Sequence, residues 1–80
     1  MATVVCGELD SAFDCLNEND GIRVEGIQKD QCAATCVEKA LGRSGCCEWQ
    51  TDWEACIYVP ESDTKYHPHT NRLAVKCTGM

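Results

Sequence analysis

The sequence is short of basic residues. Seven Lys and Arg stand against 13 Asp and Glu, for a formal charge of −6 and a pI near 4.6. Binding to a phosphate backbone depends on clustered Lys and Arg, so nucleic acid is not an expected partner. The same deficit argues against an anionic membrane surface. Acidity on this scale reads as a solubility device rather than as an acidic recognition face. Long apolar runs are missing too, and nothing approaches the roughly 20 residues of a membrane-spanning helix. The start, MATVVCGEL, has neither the charged nor the apolar region of a signal peptide. Membrane insertion is not expected. A secreted chain would stand here in mature form, and a domain cut from a longer parent would look the same.

Sugar-acceptor and catalytic signatures are also lacking. None of Asn17, Asn19 and Asn71 begins an N-x-[ST] sequon. There is no G-x-S-x-G, no HExxH and no phosphate loop. A Cys–His nucleophile would need a free thiol, against an even cysteine count. The expectation is a non-enzyme with no cofactor. Core-forming mass is thin as well. The apolar fraction of 44% includes eight cysteines, and without them 27 of 80 residues remain. One domain spanning 1–80 buries only about 60% of its unfolded surface, and at this size it needs disulfides or a metal.

What the chain has instead is cysteine, eight in 80 residues. That density marks a disulfide scaffold in a short extracellular chain. Four bridges among Cys6, Cys15, Cys32, Cys36, Cys46, Cys47, Cys56 and Cys77 are expected, out of 105 pairings that spacing alone does not separate. Zinc is the rival. Cys32-x-x-x-Cys36 would pass as a first ligand pair, but the adjacent Cys46 and Cys47 are too tight for a second, so no metal site is expected.

The stretch from Cys32 to Val59 carries the organisation. A helix is predicted over about 30–41, with Asp30 as N-cap, Ala33, Ala34 and Ala40 as strong formers and Gly42 just past its end. At helical spacing Cys32, Cys36, Ala33, Val37, Ala40 and Leu41 share one half of the wheel. Cys32 and Cys36 are then i, i+4 neighbours on the buried face. Cys46 to Gln50 and Ala55 to Val59 read as strands joined by the turn Thr51-Asp52-Trp53-Glu54. Adjacent residues on a strand face opposite sides, so only one of Cys46 and Cys47 can bridge to the helix while the other reaches behind the sheet.

Around this centre, Thr3 to Cys6 reads as an edge strand and Arg72 to Cys77 as the last strand. Leu9 to Leu16 is ambiguous between helical turn and strand. Asn17 to Gly21 is turn chemistry, and Ile22 to Ile27 a half-buried strand predicted to form a hairpin with the segment before it. A calcium loop fails on the acidic turn, because with Gly21 as its glycine the ligand positions fall on Leu16 and Ile27. Glu61 to Asn71 is predicted to be a polar loop. The fold class is therefore α+β: a small disulfide-rich domain with one helix packed on an antiparallel sheet.

Cys32-x-x-x-Cys36 in a helix, Cys46-x-x-Trp49 in a strand and Cys56-Ile57-Tyr58 in the next resemble the PAN/apple family of extracellular modules. Cys6 and Cys77 would match the bookend pair of apple-type members. The resemblance covers nearly the whole chain. It implies Cys32–Cys56, Cys36–Cys46 and Cys6–Cys77, and leaves Cys15 with Cys47, two cysteines outside the ordinary family pattern. Of these, the Cys36 partner is open between Cys46 and Cys47.

Binding candidates are few. Trp49 sits mid-strand and reads as core. Trp53, in the turn, either folds back on its hairpin or stands out as an anchor for a protein or sugar. Tyr66 and the pair His67 and His69 lie in the polar loop, where the histidines read as exposed residues rather than a metal pair. The expected function is a secreted, non-catalytic module for adhesion or interaction, binding an extracellular protein or carbohydrate as PAN/apple-like domains do. Alternatives are a subunit that self-assembles into oligomers or filaments through its edge strands, and a small diffusible signal or toxin.

Overall fold

A computed structural model describes residues 3–68 and 71–79. In chain order the elements are β1 (Val4–Cys6), β2 (Phe13–Cys15), a 3-10 turn (Glu18–Asp20), β3 (Ile22–Glu25), α1 (Lys29–Ala40), β4 (Gly45–Gln50), β5 (Ala55–Pro60), β6 (Thr64–Tyr66) and β7 (Arg72–Gly79). Five strands form an antiparallel sheet in the order β1-β7-β4-β5-β3, and β2 pairs with β6 as a separate ribbon.

The centre of the sheet is the β4–β5 hairpin, with Cys47 opposite Tyr58 and Trp49 opposite Cys56. Strand β4 also pairs along its full length with β7. With neighbours on both sides and a layer on each face, every residue of β4 and β5 except Trp49 and Pro60 is buried. Alternation then sorts the side chains. Cys47, Cys56 and Tyr58 face α1 and pack with Cys32, Cys36 and Ala40. Cys46, Ile57 and Val59 face the other way and pack with Cys15 of the ribbon. The molecule therefore has three layers: helix, sheet, ribbon.

The helix begins and ends differently from the sequence expectation. Asp30 lies within it, and Gln28 caps it through a reciprocal box with Gln31. At the other end Leu41 leaves the helix with φ 51°, followed by Gly42 at φ 81°. That left-handed exit swings Leu41 away from the core face to 80% exposure, although its helical phase placed it inside.

Two further expectations are corrected. β3 does not pair with the segment before it; Ile22, Arg23, Val24 and Glu25 pair with Tyr58, Ile57, Cys56 and Ala55. The preceding strand is taken by β6, with Phe13 opposite Tyr66 and Cys15 opposite Thr64. The stretch 61–71 is thus not all loop. The Cys15–Cys46 bridge accounts for both changes, because it draws β2 behind the sheet and leaves β3 to close an edge.

The disulfides are Cys6–Cys77, Cys15–Cys46, Cys32–Cys56 and Cys36–Cys47. The implied Cys36–Cys46 and Cys15–Cys47 pairs are replaced by their exchange partners. The reason is the period of two: Cys47 is in phase with Trp49, whose indole packs on the helix side and donates from Nε1 to the Ile27 carbonyl at 2.8 Å. Cys46 is one residue out of phase and faces the ribbon. Among the described residues no helix is long and apolar enough to cross a membrane. The whole is a small disulfide-rich α+β domain.

Candidate functional site

The turn between β4 and β5 is tied down at three of its four residues. Thr51 N–H and hydroxyl both donate to the Asn71 carbonyl, at 3.0 and 3.1 Å. Asp52 accepts from Arg72 Nη1 at 3.2 Å. Glu54 takes a left-handed conformation, φ 46°, that turns its carbonyl to Ile27 N–H at 3.0 Å and its carboxylate to Gln28 Nε2 at 2.7 Å. The fourth residue, Trp53, projects between these anchors and is 61% exposed. It does not fold back into its own hairpin. Its covered side meets the Arg23 guanidinium, 5.6 Å from the indole centroid.

Arg23 is itself positioned. Its Nη1 donates to Gln50 Oε1 at 2.7 Å, and its Nε lies 3.5 Å from Glu25. Gln50 in turn donates from Nε2 to Glu48 Oε2 at 3.1 Å. Glu48 Oε1 accepts the Cys15 N–H at 2.9 Å. A chain of polar contacts thus runs from the ribbon through the buried back of the sheet to the exposed indole: Cys15, Glu48, Gln50, Arg23, Trp53.

Glu48 is the unusual member, a carboxyl with no solvent exposure. Burial pushes its pKa from 4.5 up to about 7, the Cys15 N–H opposes that rise, and the neighbouring Glu18 carboxyl adds to it. Arg72 Nε sits 3.7 Å from both Glu48 Oε2 and Glu18 Oε2, and the latter oxygen is buried without a hydrogen-bond partner. Two carboxyl groups and one guanidinium thus meet behind the sheet. Sequence reading missed Glu48. The available signal was its phase: between Cys47 and Trp49 on a two-sided strand, it has to enter the opposite layer.

The other candidates stand elsewhere. Tyr66 is exposed on the ribbon, with its ring edge-on to Phe13 at 5.7 Å between centroids. His67 Nδ1 is 2.9 Å from Asp14 Oδ2, so the ring is held by a ribbon carboxylate rather than free in a loop. His69 lies outside the described residues. Concavities among the described residues include one of about 570 Å³ beside the start of α1, lined by Leu9, Gln28, Lys29 and Ala33 among others, and a smaller one under Phe13.

Under α1 the sulfurs of Cys32, Cys36, Cys47 and Cys56 lie within 4.8 Å of one another, all buried. The helical i, i+4 pair sits over a second pair on neighbouring strands, which sequence spacing does not reveal because eight residues of hairpin separate Cys47 from Cys56. No protein-family model, curated protein or solved structure matches the chain.

Proposed function

We propose that this chain is a secreted, non-catalytic interaction module and that its partner, an extracellular protein or glycan, docks on the β4–β5 turn around Trp53. One observation carries the reading: a large exposed aromatic stands on a turn whose other three residues are fixed to two parts of the fold, Thr51 and Asp52 to the start of β7 and Glu54 to the segment leading into α1. Ordering a surface loop on binding costs free energy, so an indole held in place beforehand binds with less penalty. The charged rim of Asp52, Glu54 and Arg23 is of the kind that surrounds an aromatic anchor in recognition sites.

Four disulfides support an oxidising, extracellular setting. The PAN/apple resemblance supports the same class of function, since two sulfurs of one helix clamp the central hairpin and Cys6–Cys77 joins the first and last strands. The chain departs from that pattern at Cys47, which takes the helical partner the family motif gives to Cys46. Self-assembly through edges is the weaker reading, because the outer strand β3 carries Arg23 and Glu25, charges that guard an edge against strand addition.

The test is a comparison of labelled domain and its Trp53→Ala variant on a glycan array and on cell-surface protein. The variant should keep the native circular dichroism spectrum and bind at least about tenfold more weakly, the loss typical of a central aromatic anchor. Equal binding by the two proteins would sink the site.

A further inference from the structure

The two disulfides beneath α1 form one four-sulfur cluster. Across the bridges, Cys32 Sγ lies 3.7 Å from Cys47 Sγ and Cys36 Sγ 3.6 Å from Cys56 Sγ. These are contacts between sulfurs of different bridges, and all four sulfurs fall within 4.8 Å. A tetrahedral zinc with Zn–S bonds of about 2.3 Å needs edges of about 3.8 Å between its sulfurs. Two of the four edges between bridges already have nearly that length, and the other two are no longer than 4.8 Å. Opening the two S–S bonds is the only large change required, and each needs less than about 2 Å of sulfur movement by the same geometry. From this we infer that the reduced chain holds one zinc ion, or a divalent ion of like chemistry, on Cys32, Cys36, Cys47 and Cys56, and that the ion takes over the work of both disulfides in fastening the helix to the hairpin.

The chemistry balances. Each disulfide takes two electrons and two protons, from a phosphine with water to give the phosphine oxide or from a dithiol to give its disulfide, and leaves two thiols. Zinc then displaces four protons from the four thiols, so binding strengthens with rising pH. Thiolate donors suit zinc over hard cations such as magnesium and calcium. The scaffold supplies what a structural site needs: a helical i, i+4 pair, a facing pair on adjacent strands, and burial of all four residues. In the thiol state the S–H groups have acceptors nearby, Glu48 O at 3.4 Å from Cys32 Sγ and Cys32 O at 3.1 Å from Cys56 Sγ. After metallation those carbonyls face thiolates, which sets the affinity below that of a site built with N–H donors. The other four cysteines are excluded by the fold. Cys15 and Cys46 lie on the opposite face of the sheet, and Cys6 and Cys77 link β1 to β7. This inference goes beyond the proposed binding function and does not depend on it.

The experiment uses the full chain, reduced with a water-soluble phosphine under anaerobic conditions and titrated first with cobalt and then with zinc. One equivalent of cobalt should give the intense visible bands of tetrahedral thiolate coordination, and zinc should displace it. Helical circular dichroism should return with the metal. Alkylation of the zinc form, mapped by mass spectrometry, should label Cys32, Cys36, Cys47 and Cys56 at least tenfold more slowly than Cys6, Cys15, Cys46 and Cys77. A chain with the latter four changed to Ser should still take one equivalent with the same cobalt spectrum. Two equivalents per chain, protection spread evenly over the eight cysteines, or metal uptake without recovery of helix would each overturn the assignment.

Discussion

The two faces of the central sheet are built from the same strands and yet are chemically opposite. Toward α1, β4 and β5 send Cys47, Cys56 and Tyr58, a dry layer of sulfur and aromatic carbon closed by two bridges. Toward the ribbon they send Cys46, Glu48, Gln50, Ile57 and Val59, a layer with one bridge and a buried carboxyl at its centre. The helix face is closed by sulfur and aromatic carbon, with Trp49 donating to the Ile27 carbonyl at its edge. The ribbon face carries a polar chain that runs through Gln50 and Arg23 to the exposed Trp53. A domain this small has one sheet for both tasks, and alternation lets it assign covalent fastening to one side and positioning to the other.

The largest way to break the comparison is to remove the covalent side. Full reduction without metal is expected to unfold the chain. Loop-closure entropy alone assigns about 4 kcal/mol to Cys6–Cys77 and about 3 kcal/mol to Cys36–Cys47, against a total stability of about 5–15 kcal/mol for an ordinary domain. Nested bridges do not add fully, yet the loss of all four exceeds what the thin apolar core supplies. Helical circular dichroism in excess phosphine with a chelator present is the measurement. A native spectrum there would show that the helix face holds by packing alone and would end the scaffold reading.

The next largest effect belongs to the ribbon face and has a pH signature. Glu48 is pushed up to about 7 in the fold by burial, from an ordinary value of 4.5. Its folded form therefore holds a proton that the unfolded chain has released between those values, and stability must fall as pH rises through that window. The contribution is fully present below about pH 4.5, falls by at most about 1.4 kcal/mol per pH unit, and is gone above about pH 8, a total of about 3 kcal/mol. Urea midpoints from pH 4.5 to 8.5 should show this decline. Glu48→Gln, which keeps a hydrogen-bonding group of the same shape without the titration, should flatten it. A profile unchanged by the variant would place the titrating group elsewhere.

The legible and the hidden parts of the chain divide along the same lines. The helix and the 46–59 hairpin were readable because alanines and alternation act within a few residues, and the sulfurs at Cys32 and Cys36 fixed which helical face is buried, whereas the caps fell on Gln28 and Leu41 rather than on Asp30 and Gly42. The choice between Cys46 and Cys47 stayed open in the sequence and is settled only in the fold, where Trp49 packs on the helix side and Cys47 shares its phase. What local pattern does not encode is which strand finds which. Thr64-Lys65-Tyr66 has no apolar alternation and becomes a strand only because β2, anchored behind the sheet by Cys15, offers it a partner. The exit of Leu41 into a left-handed turn likewise answers to the path toward β4 rather than to helical phase. Of the candidate site, Trp53 was visible as a turn residue open between folding back and standing out, whereas Glu48 and the contacts that lead from it to Arg23 appear only once three layers are assembled.

The smallest effect concerns the end of that polar chain. Arg23 lies against the indole of Trp53 at 5.6 Å and is held by Gln50, but it is itself partly exposed. An exposed cation–π contact is worth about 0.5–1 kcal/mol, so Arg23→Ala should shift the urea midpoint only slightly. Its consequence should instead be loss of order at Trp53. Without the guanidinium beneath it the ring keeps its exposure and gains rotamers, since the turn backbone remains tied through Thr51, Asp52 and Glu54. In a Trp49→Phe background, where Trp53 is the sole indole, time-resolved fluorescence anisotropy should show a larger fast component in Arg23→Ala than in the parent. Partner affinity should fall by a few-fold, less than for Trp53→Ala, because the anchor is still present and only its prior ordering is lost. An equal fall for the two variants would mean that Arg23 touches the partner itself, and unchanged anisotropy would mean that the chain through Glu48 and Gln50 supports the sheet and not the indole.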